Sequence, residues 1–124
     1  MNKQQTAFDN AAIEAYCLSL PGARSDIKWG GVQVFSIAQT KMFALLDLLG
    51  SGNLALKVDD DLFLGFCDRP GMRPAPYLAR SHWISLSPPY QVTPEEMRQL
   101  LLRSHQLVVK RLPKVRQIGL LIEQ

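Results

Sequence analysis

The stretch VQVFSIAQTKMFALLDLLGSGNLALKV, residues 32–58, decides the fold, because three strand-like segments follow one another within it. The first two segments, 32–38 and 41–47, are rich in β-branched and aromatic residues, which favour extended backbone. Only Gln39 and Thr40 separate them, and so short a polar link predicts a β-hairpin.

The third segment, 53–58, follows the turn Gly50-Ser51-Gly52 and alternates strictly in side-chain character. Successive side chains of a strand point to opposite faces of a sheet, so this pattern predicts a half-buried strand. Its buried face carries Leu54, Leu56 and Val58, and its other face carries Asn53, Ala55 and Lys57.

Signals for helix starts stand on both sides of these strands. Thr6, with Asp9 three residues later, resembles a helix N-terminus, and apolar residues recur at helical spacing after it. Towards the other end, Thr93 is a hydroxyl cap, Pro94 occupies the first helical position, and Glu96 is placed to close a capping box. Helices are therefore predicted near both ends of the chain.

The second of these helices has a recognisable buried stripe. Its apolar residues recur three and four positions apart, which predicts one face packed on the sheet. The stripe consists of Met97, Leu100, Leu101, Leu107 and Val108, whereas Arg98, Arg103, Gln106 and Lys110 are predicted to lie off it. Pro113 stops or kinks this helix, and a further short helical turn is predicted in the tail 114–124.

Three features lie between the third strand and the closing helix. The acids Asp59-Asp60-Asp61 suit the positive end of a short helix better than a calcium loop, which needs further oxygen ligands that this chain lacks at the required spacing. The proline-punctuated segment 69–76 predicts an irregular loop. The segment 82–87 predicts a strand whose alternation puts Trp83 on the outer face of the sheet.

The order of these elements predicts the fold class. Helical periodicity gives way to strand alternation and then returns, which predicts an α/β (α+β) sandwich of two layers, an antiparallel sheet with helices packed on one face. A length of 124 residues predicts one domain spanning 1–124, and 47% hydrophobic residues suffice to bury a core without disulfides or metals.

The charges are sorted along the chain. Residues 69–116 carry nine basic side chains against the two acids Glu95 and Glu96, whereas residues 1–68 carry five basic side chains against eight acids. Clustered lysines and arginines attract phosphate backbones through counterion release and long-range attraction. The sorting therefore indicates nucleic acid as a partner for the basic half.

Residue chemistry argues against an enzyme. The sequence has no nucleophile elbow, metal-ligand spacing or phosphate loop, so no catalytic residue, cofactor or metal is expected. Cys17 and Cys67 are isolated and are predicted to be inert, and His82 and His105 are predicted to be structural. No apolar run reaches the length of a membrane span, so we expect a cytoplasmic protein, and we favour a monomer.

The chain resembles the MmcQ/YjbR family over nearly its whole length. The resemblance rests on the order and spacing of five short tracts: YCLSLPG at 16–22, KMFAL at 41–45, LALK at 54–57, the pair His82-Trp83, and SHQLV at 104–108. It implies a CyaY-like, frataxin-related domain, and members of this family are commonly described as DNA-binding. No catalytic residues come with the resemblance.

The chain departs from the family pattern at two places. Ala38-Gln39-Thr40 stands where a glycine-containing turn is common, and His105 stands where an aromatic hydroxyl is usual. Iron handling of the frataxin kind is disfavoured, because the first helix offers only Asp9 and Glu14 rather than an acidic ridge.

Two functions from different classes remain open. The first is a non-catalytic DNA-binding module, in which Lys57, Arg73 and Arg80 meet phosphates and Trp83 stacks on a base. The second is a small-molecule or protein interaction domain that meets its partner with the same sheet face. The alternative for Trp83 is a structural role, in which its ring covers a sheet edge or packs under a loop.

Overall fold

Six strands form one sheet in the computed structural model, which describes residues 8–38 and 40–122. The strands are β1 Arg24–Lys28, β2 Val32–Ile37, β3 Lys41–Asp47, β4 Leu54–Lys57, β5 Met72–Pro74 and β6 Trp83–Leu86. Their order in the sheet is β1-β2-β3-β4-β6-β5, and these pairings are antiparallel. The predicted hairpin is β2 and β3, and the predicted alternating strand is β4.

The helices form the second layer. They are α1 Asn10–Ser19, α2 Phe63–Cys67, α3 Pro94–Val109 and α4 Lys114–Gln117. The longest of them, α3, packs on β3 and β4 at the centre of the sheet and contacts α1. We call the sheet face that α1 and α3 cover the inner face, and the opposite face the outer face. The predicted two-layer α+β sandwich with an antiparallel sheet is confirmed.

The inner face carries the hydrophobic core. The register places Leu56 between Ala44 on one side and Ile84 on the other, and all three side chains are fully buried. Burial of a large aliphatic side chain contributes roughly 1.5–3 kcal/mol. The helices complete this core with Ile13, Cys17, Met97 and Leu101. Burial also raises the pKa of the Cys17 thiol to about 12, so this thiol stays protonated at neutral pH.

A β-bulge interrupts the pairing of β2 with β3. Phe35 pairs with Ala44, but the next residue, Ser36, pairs with Met42, so Phe43 has no partner in the ladder. Phe43 and Ala44 are both fully buried. The bulge therefore directs two consecutive side chains into the core, which strict alternation would not allow.

Ser104 on α3 fills the gap that this bulge leaves in the sheet. Its hydroxyl donates to the Phe43 carbonyl at 2.7 Å and accepts from the Lys57 N–H at 2.9 Å. One buried side chain thus satisfies a carbonyl of β3 and an amide of β4 that do not pair with each other. Ser104 joins the helical layer to the sheet through polar contacts as well as packing.

Helix α1 begins at Asn10, three residues later than a cap at Thr6 would place it. Asp9 accepts a hydrogen bond from the Ala12 N–H at 2.9 Å and so caps the first turn. Thr6, the other part of the predicted signal, lies outside the described residues. The helix buries Ile13 and Cys17, one turn apart.

Helix α3 begins where predicted. Thr93 Oγ1 accepts from the Glu96 N–H at 3.0 Å, and Pro94 occupies the first turn. The predicted capping box is wrong, because the Glu96 carboxylate binds the Arg69 guanidinium at 2.6 and 3.0 Å instead. The ion pair fastens the start of α3 to the segment before β5.

Two strands of the sheet were not predicted from the sequence. Strand β1 is exposed along its whole length, so its residues RSDIK show no apolar alternation. Strand β5 falls within the proline-punctuated segment, where Pro74 pairs with Ile84 at the opposite edge of the sheet. Edge strands bury little and tolerate a missing N–H, which removes the pattern that would reveal them.

His105 and Gln106 form a buried polar network on α3. His105 Nε2 donates to the Pro21 carbonyl at 2.8 Å, and its Nδ1 accepts from the Gln106 amide at 2.8 Å. The same amide group donates to the Leu120 carbonyl at 3.0 Å, and its oxygen accepts from the Ile122 N–H at 2.8 Å. The prediction that Gln106 lies off the buried face is wrong, since this side chain anchors the C-terminal segment.

This network predicts that stability falls in mild acid. Burial lowers the pKa of His105, and the hydrogen bond to Pro21 opposes that effect only in part. The unfolded chain takes up this proton near pH 6.5, whereas the folded chain does so only at lower pH. The contribution of neutral His105 to the free energy of unfolding is therefore fully present above about pH 6.5. It is lost as the pH falls through the pKa that His105 has in the folded protein. A proton on Nδ1 of His105 would also face the N–H that the Gln106 amide donates to this nitrogen, so that hydrogen bond would be lost.

Unfolding in urea at pH values from 8 to about 5.5, above the range where carboxylates titrate, measures this effect. The His105→Gln variant is expected to show a flatter pH dependence than the wild type. His82→Gln serves as the control and should keep the slope that His105 contributes. An equally steep slope in His105→Gln would assign the pH dependence to another group.

Candidate binding cleft on the outer sheet face

Lys57 and Trp83 lie on the outer face, as predicted, but they are not exposed. They are direct partners in the β4–β6 ladder, and their exposed fractions are 7% and 5%. The segment 75–82 is attached to β6, since the Ala75 N–H donates to the Trp83 carbonyl and the Trp83 N–H donates to the Leu78 carbonyl. The prediction of an exposed aromatic platform at Trp83 is therefore wrong, and the alternative of burial fits.

The ammonium group of Lys57 is turned into the protein. Its Nζ donates to the carbonyl of Ser81, in the 3₁₀ turn Ala79–Ser81. Burial lowers the pKa of Lys57, the charge of Arg111 lowers it further, and Asp60 opposes both. Lys57 thus fastens the 3₁₀ turn to β4 and is not free to meet a phosphate, which corrects its predicted exposure.

Arg73 and Arg80 are exposed, as predicted. Arg73 pairs with Ser85 in the β5–β6 ladder and shares the outer face with it. Arg80 lies in the 3₁₀ turn beside β6. The four predicted site residues therefore divide into a buried pair and an exposed pair.

A row of paired residues crosses the outer face from one edge of the sheet to the other. Its ends are charged and its centre is apolar. In order the row is Asp26, Val34, Leu45, Ala55, Ser85 and Arg73. Helices α1 and α3 cover the other face, and the centre of this row, Leu45, Ala55 and Ser85, lines a surface depression.

The depression is a cleft of about 570 Å³. Its floor includes Leu45 and Ala55, and Trp29 and Tyr77 lie in its walls from opposite ends of the sheet. Trp29 is 66% exposed and Tyr77 is fully exposed. Large aromatic side chains left in water around an apolar depression are typical of a binding surface. We call this depression the outer cleft.

Trp29 stands in a tight turn between β1 and β2. The Gly31 N–H donates to the Lys28 carbonyl at 3.1 Å, and the two central residues, Trp29 and Gly30, have φ values of +49° and +75°. Positive φ at both central residues is the arrangement of the type I′ class, which matches the twist of a hairpin. Glycine adopts it freely, whereas a bulky residue such as tryptophan is strained there.

Tyr77 is strained in the same way. Its φ is +67°, in a turn closed by the Leu78 N–H donating to the Ala75 carbonyl at 3.1 Å. A left-handed residue other than glycine costs roughly 1–2 kcal/mol, and a fully exposed ring recovers none of that through packing. Backbone strain of this kind concentrates at functional sites, which favours a role for Tyr77 outside folding.

Replacement of Tyr77 by Asn is expected to stabilise the protein. Asparagine tolerates left-handed backbone, and no buried contact is lost with the ring, so the free energy of unfolding should rise by roughly 0.5–1 kcal/mol. Urea denaturation measures the change, and Tyr77→Phe, which keeps the strain, is the matched control. A destabilised Tyr77→Asn protein would show that the ring supports the fold.

The remaining charged clusters serve the structure. Asp59 binds Arg103 at 2.7 Å, and this hydrogen-bonded pairing lowers the pKa of Asp59 despite its partial burial. Asp60 lies 2.8 Å from His82 Nδ1. Among residues 8–38 and 40–122, no group of three His, Cys, Asp or Glu side chains is arranged to hold a metal ion. In the same residues, none of the helices combines the length and apolar character of a bilayer span.

An antiparallel sheet with one face under helices and an open cleft on the other defines a small two-layer α+β domain. The chain belongs to the YjbR family, whose model matches residues 18–107. No curated protein matches it.

Two solved structures share the fold. A crystal structure of the Deinococcus radiodurans protein DR2400, with a DUF419 domain, superimposes with a TM-score of 0.80 at 22% identity, covering 97% of this chain and 91% of that one. A crystal structure of a protein from Pseudomonas syringae gives a TM-score of 0.61 at 25% identity, covering 87% of this chain and 99% of the other. These similarities support the fold.

Proposed function

We propose that this protein is a non-catalytic binding domain whose ligand is a small aromatic or apolar molecule held in the outer cleft. The observation that carries the proposal is the pair Trp29 and Tyr77, two exposed aromatic side chains on strained backbone beside one apolar cleft. A bound partner would account both for the exposure of these rings and for the strain of their backbone.

The size and chemistry of the outer cleft support a small molecule. Its volume of about 570 Å³ lies within the roughly 300–1,000 Å³ of ligand pockets. Its floor offers aliphatic surface from Leu45 and Ala55, and its walls offer aromatic rings, which prefer offset or edge-on contact with another ring. A flat apolar ligand would bury both kinds of surface.

The polar groups of the cleft favour binding over catalysis. The Asp47 carboxylate accepts hydrogen bonds from the N–H and the hydroxyl of Ser51, both at 3.0 Å. The Ser51 hydroxyl also accepts from the Asn53 N–H at 3.1 Å. These side chains close the turn between β3 and β4, so they are committed to structure rather than poised as an acid, base or nucleophile.

Single-stranded DNA is a second candidate ligand, because Arg73 and Arg80 are exposed at the edge of the sheet where Tyr77 lies. Bases could stack on Trp29 and Tyr77 while the arginines meet phosphates, an arrangement typical of sequence-tolerant single-strand binding. A salt series separates the candidates, since phosphate contacts weaken steeply as salt rises and an apolar contact changes little. Binding of oligothymidine at about 50 mM salt that disappears by about 200 mM would favour DNA.

A neutral fluorescent probe tests the small-molecule proposal. N-phenyl-1-naphthylamine is aromatic and uncharged, and its emission rises in apolar surroundings. We expect saturable binding to the wild type, and at least a roughly tenfold loss of affinity in Ala55→Trp, whose indole would fill the floor of the cleft.

Ala15→Trp is the matched control, because Ala15 is exposed on α1, in the other layer. It should bind the probe as the wild type does. Circular dichroism must show that Ala55→Trp is folded. Equal affinity of folded Ala55→Trp and the wild type, or no binding to either, would refute the proposal.

A further inference from the structure

A second, smaller depression adjoins the outer cleft. Its volume is about 120 Å³, and it shares Trp29 and Met42 with the cleft, so the two form one continuous surface. The lining changes from largely apolar in the outer cleft to charged and polar in the smaller depression. The smaller depression is lined by Arg24, Lys28, Ser36 and Thr40, and we call it the basic pocket.

The edge strand β1 produces this pocket. Arg24, Asp26 and Lys28 alternate along β1 and pair with Ser36, Val34 and Val32 of β2. Their side chains therefore share the outer face with the cleft floor. Within residues 8–38 and 40–122, neither Arg24 nor Lys28 belongs to an ion pair, although two arginines, Arg69 and Arg103, do.

The acid in this pocket does not cancel its charge. Asp26 stands between two cations, and its carboxylate accepts a hydrogen bond from the Ile27 N–H at 3.1 Å. Two cations against one carboxylate leave the basic pocket positive. The hydroxyls of Ser36 and Thr40 add neutral donors next to these charges.

We propose that the ligand is an aromatic or heteroaromatic ring compound that carries an anionic group, a phosphate, sulfonate or carboxylate. The inference rests on the proposed function and adds the chemistry of the ligand to it. The ring lies in the outer cleft between Trp29 and Tyr77. The anion extends past Trp29 into the basic pocket, where Arg24 and Lys28 bind it through charge-assisted hydrogen bonds.

Two probes that differ by a single sulfonate test the proposal. 1-Anilinonaphthalene-8-sulfonate has the ring system of N-phenyl-1-naphthylamine and one negative charge. In the double variant Arg24→Gln/Lys28→Gln, we expect affinity for the sulfonate probe to fall about tenfold or more at low salt. Affinity for the neutral probe should change less than about twofold, because the cleft itself is intact.

The matched control is Lys114→Gln/Arg116→Gln, which removes the same charge from α4, beside the end of α3. It should leave both affinities unchanged, which separates the basic pocket from the net charge of the protein. Displacement of the sulfonate probe by thymidine monophosphate and by indole-3-acetate then compares a phosphate with a carboxylate as the anionic group.

The outcomes separate this inference from the proposed function. If the neutral probe binds and Arg24→Gln/Lys28→Gln leaves the affinity for the sulfonate probe unchanged, the anionic ligand is refuted. The proposed function of the outer cleft is then unaffected. If neither probe binds the wild type, both proposals fall. Equal losses in the β1 and α4 double variants would also refute the basic pocket, since the effect would then come from net charge alone.

Discussion

Replacement of Trp83 by Ala is expected to lower the free energy of unfolding by roughly 3–5 kcal/mol, the usual cost of removing a buried large aromatic side chain. Trp83 is 5% exposed, and its backbone holds the segment 75–82 through two hydrogen bonds. A cavity beneath this segment would also weaken the attachment of Tyr77. Small domains have a total free energy of unfolding of about 5–15 kcal/mol, so this variant should lose a large fraction of it.

Urea denaturation checks this result, with Trp83→Phe as the control that keeps an apolar ring. Trp83→Phe should lose less than half as much stability as Trp83→Ala. A fully stable Trp83→Ala protein that binds DNA less well would restore the stacking role predicted from the sequence and contradict its burial.

Ser104→Ala is expected to cost about 2–4 kcal/mol, far more than the loss of one oxygen atom suggests. Its hydroxyl satisfies two buried backbone groups at once, the Phe43 carbonyl and the Lys57 N–H. Each buried group left without a partner costs roughly 1–3 kcal/mol. Alanine fits the space but restores neither hydrogen bond.

The control for this prediction is Ser25→Ala, on the exposed strand β1. Its stability should change by less than about 0.5 kcal/mol. Ser104→Cys is a second variant, since a thiol is a weak donor and should recover part of the loss. A Ser104→Ala protein as stable as the wild type would mean that β3 and β4 close the gap themselves.

The sequence predicted most of the fold where burial leaves a pattern. Strand β4 has one buried face, so Leu54 and Leu56 alternate with smaller or polar residues, and α3 combines a capping threonine with an apolar stripe. Strand β1 buries no residue and therefore carries no pattern. Gln106 was misplaced because a buried amide looks the same in a sequence as an exposed one until its partners, Leu120 and Ile122, are known.

The candidate site was harder to predict than the fold. Alternation correctly put Trp83 on the outer face, but it carries no information about a loop that returns over the sheet. Trp29 had a signal that could have been used, because a tryptophan followed by Gly-Gly directly before a predicted strand is typical of a turn, where side chains are exposed. Tyr77 had none, since its exposure depends on the path of the segment 75–82.

The position of α3 in the chain has a consequence for how the protein is made. Synthesis proceeds from the N-terminus, so the strands β1 to β6 leave the ribosome before the helix that covers them. Until then the inner face has no partner for Leu56 and Ile84, and the bulge at Phe43 lacks the hydroxyl of Ser104. The apolar inner face is therefore the last surface of the sheet to be covered, and until α3 has emerged it is open to association with other apolar chains.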